Sequence, residues 1–278
     1  MLKEFVKNIL FNLKKKNHLF SPVFIIGCGR SGTTILGKTL SKHPEIKYLN
    51  ERRDLWHKAY PEFDVWNKDT QNPKLYAYRK DVISKKNNLL HYLFFREQVL
   101  RNSKILLEKL PINNFRLQFL KKSFPNARYI YLTRNGIEVS KSIEKKIQNK
   151  NWFTGKKYEV LKKYTSENNI IFNTEINSNQ EKGMWEWKLS IDESDWFFKK
   201  ENKSNFIHLS YQDFISSPSE SIKNIFNFLK LDYTENWITD ISKDIERKNP
   251  EIKTTENKRL YKIGGDILNK TIDNIYTP

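Results

Sequence analysis

The chain of 278 residues has a single cysteine, Cys28, so no disulfide can form within it. No Cys/His cluster has the spacing of a zinc site either, so the fold must rest on its apolar core, and a reducing, cytoplasmic setting is expected. Cys28 itself reads as a small packed residue, with a reactive thiol near a helix start as the alternative. Long apolar runs are also missing. Nothing approaches the ~20 apolar residues of a membrane span, and residues 1–20 lack the unbroken apolar centre of a signal peptide. Those first 20 residues instead combine apolar positions at helical spacing with Lys14, Lys15 and Lys16. They read as a basic amphipathic segment that packs as a plain helix or makes peripheral contact with a membrane surface. Acidic residues are scarce, 32 against 50 basic ones, which gives a net charge of +18. Such a field recruits polyanions. The lysines are dispersed in pairs such as Lys85-Lys86, Lys121-Lys122 and Lys199-Lys200, however, and no nucleic-acid-binding motif accompanies them. They read as a solvated surface, and nucleic acid is not the expected partner.

What is present is organised around residues 22–34, Pro-Val-Phe-Ile-Ile-Gly-Cys-Gly-Arg-Ser-Gly-Thr-Thr. A continuous apolar run is the mark of a buried parallel strand, and the glycines after it let the backbone turn its N–H groups toward an anion at the next helix start. The spacing of Gly27 and Gly32 is that of a Walker loop, but Thr33 stands where the lysine belongs. A cation is available three residues earlier, since Arg30 offers a planar fork of donors, while Ser31, Thr33 and Thr34 add hydroxyls.

The remaining pattern alternates short apolar strands with helical periodicity. Strands are expected near residues 46–49, 105–107, 127–133 and 206–209, which implies one three-layer α/β domain over residues 21–278 around a parallel sheet. In such sheets ligands bind at the carboxyl ends of the strands. Glu51, Lys109 and Arg134 each follow a strand directly. Ser142, about two helical turns beyond Arg134, falls on the same helix flank, so the pair can share one phosphate. Asn113 or Asn114 is expected to cap a helix over residues 115–123. The aromatic-rich stretch 55–88 reads as loops and short helices whose rings either pack in the core or offer a stacking surface. Residues 149–180, rich in Asn, Lys, Ser and Thr, read as a flexible insertion or lid.

From the Gly-Arg-Ser-Gly-Thr-Thr loop to about Tyr233 the sequence resembles the sulfotransferase family, whose members take a sulfuryl group from 3′-phosphoadenosine 5′-phosphosulfate (PAPS) and release 3′-phosphoadenosine 5′-phosphate (PAP). The resemblance implies that residues 30–34 hold the 5′-phosphosulfate and that Arg134 and Ser142 bind the 3′-phosphate, with Ser140 the competing serine. It also implies that Lys109, in a K-x-P setting, reaches the transferring group. Glu51, in an E-x-R arrangement similar to the glutamate-base carbohydrate and protein-tyrosine branch, would be the base, with His57 or His91 as alternatives. Apart from the resemblance, Arg53, two positions on, is expected to orient the carboxylate and keep it ionised, since a nearby cation favours the charged form. By the same resemblance Tyr211-Gln212-Asp213-Phe214 is a structural segment, and residues 262–265, Lys-Ile-Gly-Gly, supply a late nucleotide contact. The implied reaction is in-line transfer without a metal, with Arg30 and Lys109 neutralising charge and a small-molecule, carbohydrate or lipid hydroxyl as acceptor. A P-loop kinase is the competing enzyme reading, weakened by the missing Walker lysine.

Overall fold

A computed structural model describes residues 21–100, 102–149, 152–170, 175–243, 245, 258–273 and 276–278. The basic segment 1–20 lies outside the described residues. Strands β1 (Val23–Ile26), β2 (Ile46–Asn50), β3 (Ile105–Lys109), β4 (Arg128–Thr133) and β5 (Phe206–Ser210) form one sheet in the order β2-β3-β1-β4-β5. Every pairing is parallel, as a strand–helix–strand chain requires. The helices are α1 (Thr33–Leu40), α2 (Arg53–Ala59), α3 (Ser84–Val99), α4 (Leu117–Ser123), α5 (Gly136–Gln148) and α6 (Lys157–Glu167). They continue with α7 (Asn179–Phe198), α8 (Tyr211–Ser216), α9 (Pro218–Leu229), α10 (Glu235–Ser242) and α11 (Lys258–Ile272).

Side chains alternate across a strand, and β1 shows what that does here. Val23 and Ile25 join the core beneath α1, α8, α9 and α10, whereas Phe24 and Ile26 join the opposite core with α3, α4, α5 and α7. All four are buried, so β1 is the centre of three layers. The expected α/β domain is therefore the observed one. Because β1 is flanked by β3 on one side and β4 on the other, the chain reverses its winding at the carboxyl end of β1. A crevice opens at such a switch point.

Several local expectations give way to tertiary packing. Asn113 and Asn114 do not cap a helix: Pro111 opens a 3-10 turn over Pro111–Arg116, and both amides are buried. Asn113 donates to Glu108, and Asn114 accepts the backbone N–H of Gly27 at 3.0 Å. In the 55–88 stretch Trp56, Tyr60 and Phe63 are core residues, each stacked or edge-on with Phe119 or Phe94, while Trp66 stays half-buried at the surface. The insertion read over residues 149–180 contains α6, whose Val160, Leu161 and Tyr164 are buried. Its apolar positions are spaced at i, i+1 and i+4, a thin stripe among lysines that composition hides.

Candidate active site

The turn after β1 is built from left-handed backbone. Gly32 has φ 93°, and Arg30, with φ 75°, adopts the region that a side chain disfavours. This conformation lets α1 begin at Thr33 with no side chain capping it. The first-turn amides of a helix have no intrahelical partner, so an uncapped start offers donors and the positive end of the helix dipole to an anion. The start of α5 differs. There Asn135 accepts from the amides of Ile137 and Glu138, so a phosphate near Arg134 must be bound by side chains.

Lys109 ends β3 and joins both sides of the crevice. Its ammonium donates to Thr34 Oγ1 at 2.9 Å and to Glu51 Oε1 at 2.5 Å. The lysine side chain is 1% exposed and the glutamate 42%, so a buried cation faces an accessible carboxylate. Burial pulls the Lys109 pKa below its ordinary value, with the Glu51 carboxylate acting in the opposite direction. Glu51 follows β2 with φ 53°, a second strained non-glycine at the same edge. Its partner is Lys109, not Arg53 as the sequence suggested. Arg53 lies over the Trp66 ring, 5.0 Å from its centroid, and Arg52 is tied to Asp54 and Glu97.

Arg30, Arg134 and Ser142 meet at the β1–β4 edge. Arg30 Nε donates to Ser142 Oγ at 3.0 Å, and Arg134 Nη1 donates to the Arg30 carbonyl at 3.1 Å. Arg30 thus reaches the serine expected on the 3′-phosphate side instead of folding over its own loop. Arg134 is further held by Glu138 at 2.6 Å and by the Tyr211 ring, 4.1 Å from its guanidinium carbon. Burial, then the neighbouring Arg134, lowers the Arg30 pKa. Ser140 is buried and donates to the Ile137 carbonyl of its own helix, so Ser142 is the serine that reaches the cluster. Within the loop, Ser31 and Thr33 are buried, and a methyl of Thr33 packs against Gly27.

The two histidines part company. His57 lines an open cleft of about 570 Å³ with Glu51, Arg53, Asp64 and Trp66. His91 lies at the other end of the sheet, bonded to the Ser123 carbonyl at 2.7 Å and stacked on Phe124, where burial lowers its pKa. The structure does not bring His91 to the site. Lys262 is exposed on α11. Cys28 is fully packed, and burial drives its thiol pKa upward, which removes the reactive alternative.

Sequence reasoning missed the residues that brace this edge. Tyr211, read as merely structural, packs its ring between Gly32 and Arg134. Helix α7 supports both turns: Trp187 Nε1 donates to the Arg134 carbonyl at 3.1 Å, and Ser190 meets Asn114, which holds Gly27. Glu186 on the same helix accepts from Trp152 and from Lys157, each at 2.6 Å.

An uncapped helix start, a buried lysine between loop and carboxylate, and a separate arginine pair thus meet at one edge of the parallel sheet. Residues 22–235 match the model of the sulfotransferase family, and the chain belongs to that family. A protein-tyrosine sulfotransferase A of Caenorhabditis elegans is 24% identical over 243 residues, covering 82% of this chain. The chain spans 56% of that relative's length. The fold is shared with the sulfotransferase domain of the curacin biosynthetic pathway, at a TM-score of 0.50 and 15% identity over 93% of this chain and 99% of that one. The sulfotransferase domain of the Synechococcus PCC 7002 olefin synthase gives a TM-score of 0.51 at 15% identity, over 93% and 89% of the two chains.

Proposed function

We propose that the chain transfers a sulfuryl group from PAPS to an acceptor hydroxyl, with Glu51 as the base. The observation that carries this reading is the Thr34–Lys109–Glu51 line, in which one buried ammonium touches both the donor loop and the carboxylate. The uncapped amides at Thr33 and Thr34 would hold the 5′-phosphosulfate, and Arg30, Arg134 and Ser142 the 3′-phosphate. The acceptor enters beside Glu51 through the cleft lined by His57 and Trp66. Its hydroxyl displaces the Lys109 ammonium from Glu51, gives its proton to the carboxylate, and attacks sulfur in line with the departing phosphate oxygen. Lys109, freed from Glu51, then faces the charge that grows on the sulfuryl and leaving oxygens. Transfers of this type are catalysed mostly by positioning and electrostatics, which a desolvated lysine supplies.

The favoured acceptor is a carbohydrate or glycolipid hydroxyl, by similarity to the glutamate-base branch. A peptide tyrosine is the second reading, supported by the match to a protein-tyrosine sulfotransferase. A screen with sulfur-labelled PAPS across sugar, lipid and peptide acceptors in excess EDTA tests both. Label on at least one acceptor class, persisting in EDTA, is expected. Transfer that strictly needs Mg²⁺, or none to any class, would overturn the reading.

A further inference from the structure

Residues 152–157 touch both sides of the site through contacts that the proposed reaction does not use. At one end the Trp152 ring lies directly on Gly29 of the phosphate loop, so closely that a Cβ on that glycine would overlap it. The indole is fixed there by its N–H bond to Glu186, and the Lys157 ammonium sits 4.0 Å from the centre of the same ring. Lys157 and Glu186 are 2% and 3% exposed, so the anchor is a buried ion pair with both carboxylate oxygens occupied. At the other end Gly155, at φ 60°, packs on the Trp66 carbonyl, where any Cβ would overlap. Lys156 donates its backbone N–H to the Val65 carbonyl and its ammonium to the Thr70 carbonyl, each at 3.0 Å. Asp64, Trp66 and Asn67 are walls of the cleft beside Glu51.

We propose that residues 152–157 are a strap that couples donor binding to the acceptor cleft, with Trp152 as a positioning residue for the phosphate loop. The proposal rests on the reading of that loop as the PAPS site. A nucleotide that orders the 27–34 backbone fixes Gly29 and hence the Trp152 ring. The strap carries that order to Val65 and Thr70, because its length between Trp152 and Lys156 is too short to absorb the change. An element ordered by one ligand leaves less ordering to the second, which is positive coupling. Trp152 contacts backbone rather than any reacting atom, so its loss acts through the loop and the cleft wall together.

Hydrogen exchange with PAP as the probe tests this without knowing the acceptor. Saturating PAP, its binding followed by calorimetry, is expected to slow amide exchange at 65–70 in the wild-type chain. Trp152→Ala should weaken PAP about tenfold, within the range of ordinary coupling energies, and abolish the slowing at 65–70 even when saturated. Trp152→Phe lacks both the outer ring atoms that lie on Gly29 and the bond to Glu186, so it should lose the slowing at 65–70 as Trp152→Ala does. Gly155→Val breaks only the acceptor end, at an exposed position, and should lose the distal slowing with PAP affinity unchanged; it carries the test if Trp152→Ala does not fold. Slowing at 65–70 that survives in Gly155→Val, or that is absent from the wild-type chain with PAP bound, overturns the coupling alone. No PAP binding by the wild-type chain overturns the nucleotide reading and the coupling with it.

Discussion

The proposed donor edge and the proposed acceptor cleft are built on opposite plans. At the donor edge each turn rests on a buried polar brace: Asn114 under Gly27, Trp187 under the Arg134 carbonyl, and the Lys157–Glu186 pair behind Trp152. On the acceptor side the groups stand in solvent, with the side chains of Glu51, Asp54 and His57 exposed by 42%, 49% and 44%. The difference teaches how the work is divided. Anion binding by backbone amides needs fixed geometry, and buried hydrogen-bonded groups supply it. An acceptor pocket needs only one group fixed, and Lys109 fixes Glu51 from below.

The sharpest way to break the comparison is Glu51→Gln. The amide keeps the shape but accepts no proton, so turnover should fall by about 10²–10⁴-fold with PAP affinity little changed. Steady-state rates and calorimetry check it. If the variant turns over normally while His57→Ala stops the reaction, the base is the histidine that shares the cleft. Next in size is Lys157→Ala, which leaves Glu186 buried without its cation. A loss of roughly 3–5 kcal/mol in unfolding free energy is expected by denaturant titration, since removing one partner of a buried pair strands the other. The exposed pair Lys243–Asp240, broken in the same way, should leave the unfolding midpoint almost unchanged, since solvent screens it.

The smallest effect concerns pH. Glu193 on α7 accepts from the Tyr164 hydroxyl of α6, and burial pushes its pKa up to about 7. The folded chain therefore holds a proton that the unfolded chain releases at the usual carboxylate value. Stability from this group is complete at low pH and is lost as pH rises toward and through about 7. Glu193→Gln should flatten the fall in Tm between about pH 5 and 8 relative to the wild-type chain. An unchanged slope would contradict the assignment.

The two regions were also unequally legible in the sequence. Gly27, Arg30 and Gly32 lie within six residues, and local backbone needs set their spacing, so the loop could be read directly. The strands that lead to Glu51, Lys109 and Arg134 were short, largely apolar segments of the right length, which placed all three at one edge. Helical repeat put Ser142 on the flank of Arg134, and the resemblance favoured it over Ser140. What escaped was contact between distant segments. Asn114 looked like a helix cap because capping is the local use of asparagine, but Pro111 shifts the helix start and burial turns the amide to Gly27. Arg53 seemed to guard Glu51 by proximity in sequence, whereas Lys109, 58 residues away, takes that role. Trp152 lies in a stretch whose polar composition suggested a flexible insertion or lid, and its place on Gly29 depends on Glu186 from another helix.

On the proposed reading, the uncapped start of α1 and the Arg30–Arg134–Ser142 cluster hold one nucleotide phosphorylated at two places. Calorimetric titration of the wild-type chain with PAP and with ADP, side by side at one ionic strength, tests it most directly. PAP should bind more tightly by about 1.5–3 kcal/mol, the worth of charge-assisted contacts from Arg30, Arg134 and Ser142 to the 3′-phosphate. Equal affinity for the two nucleotides would contradict the account.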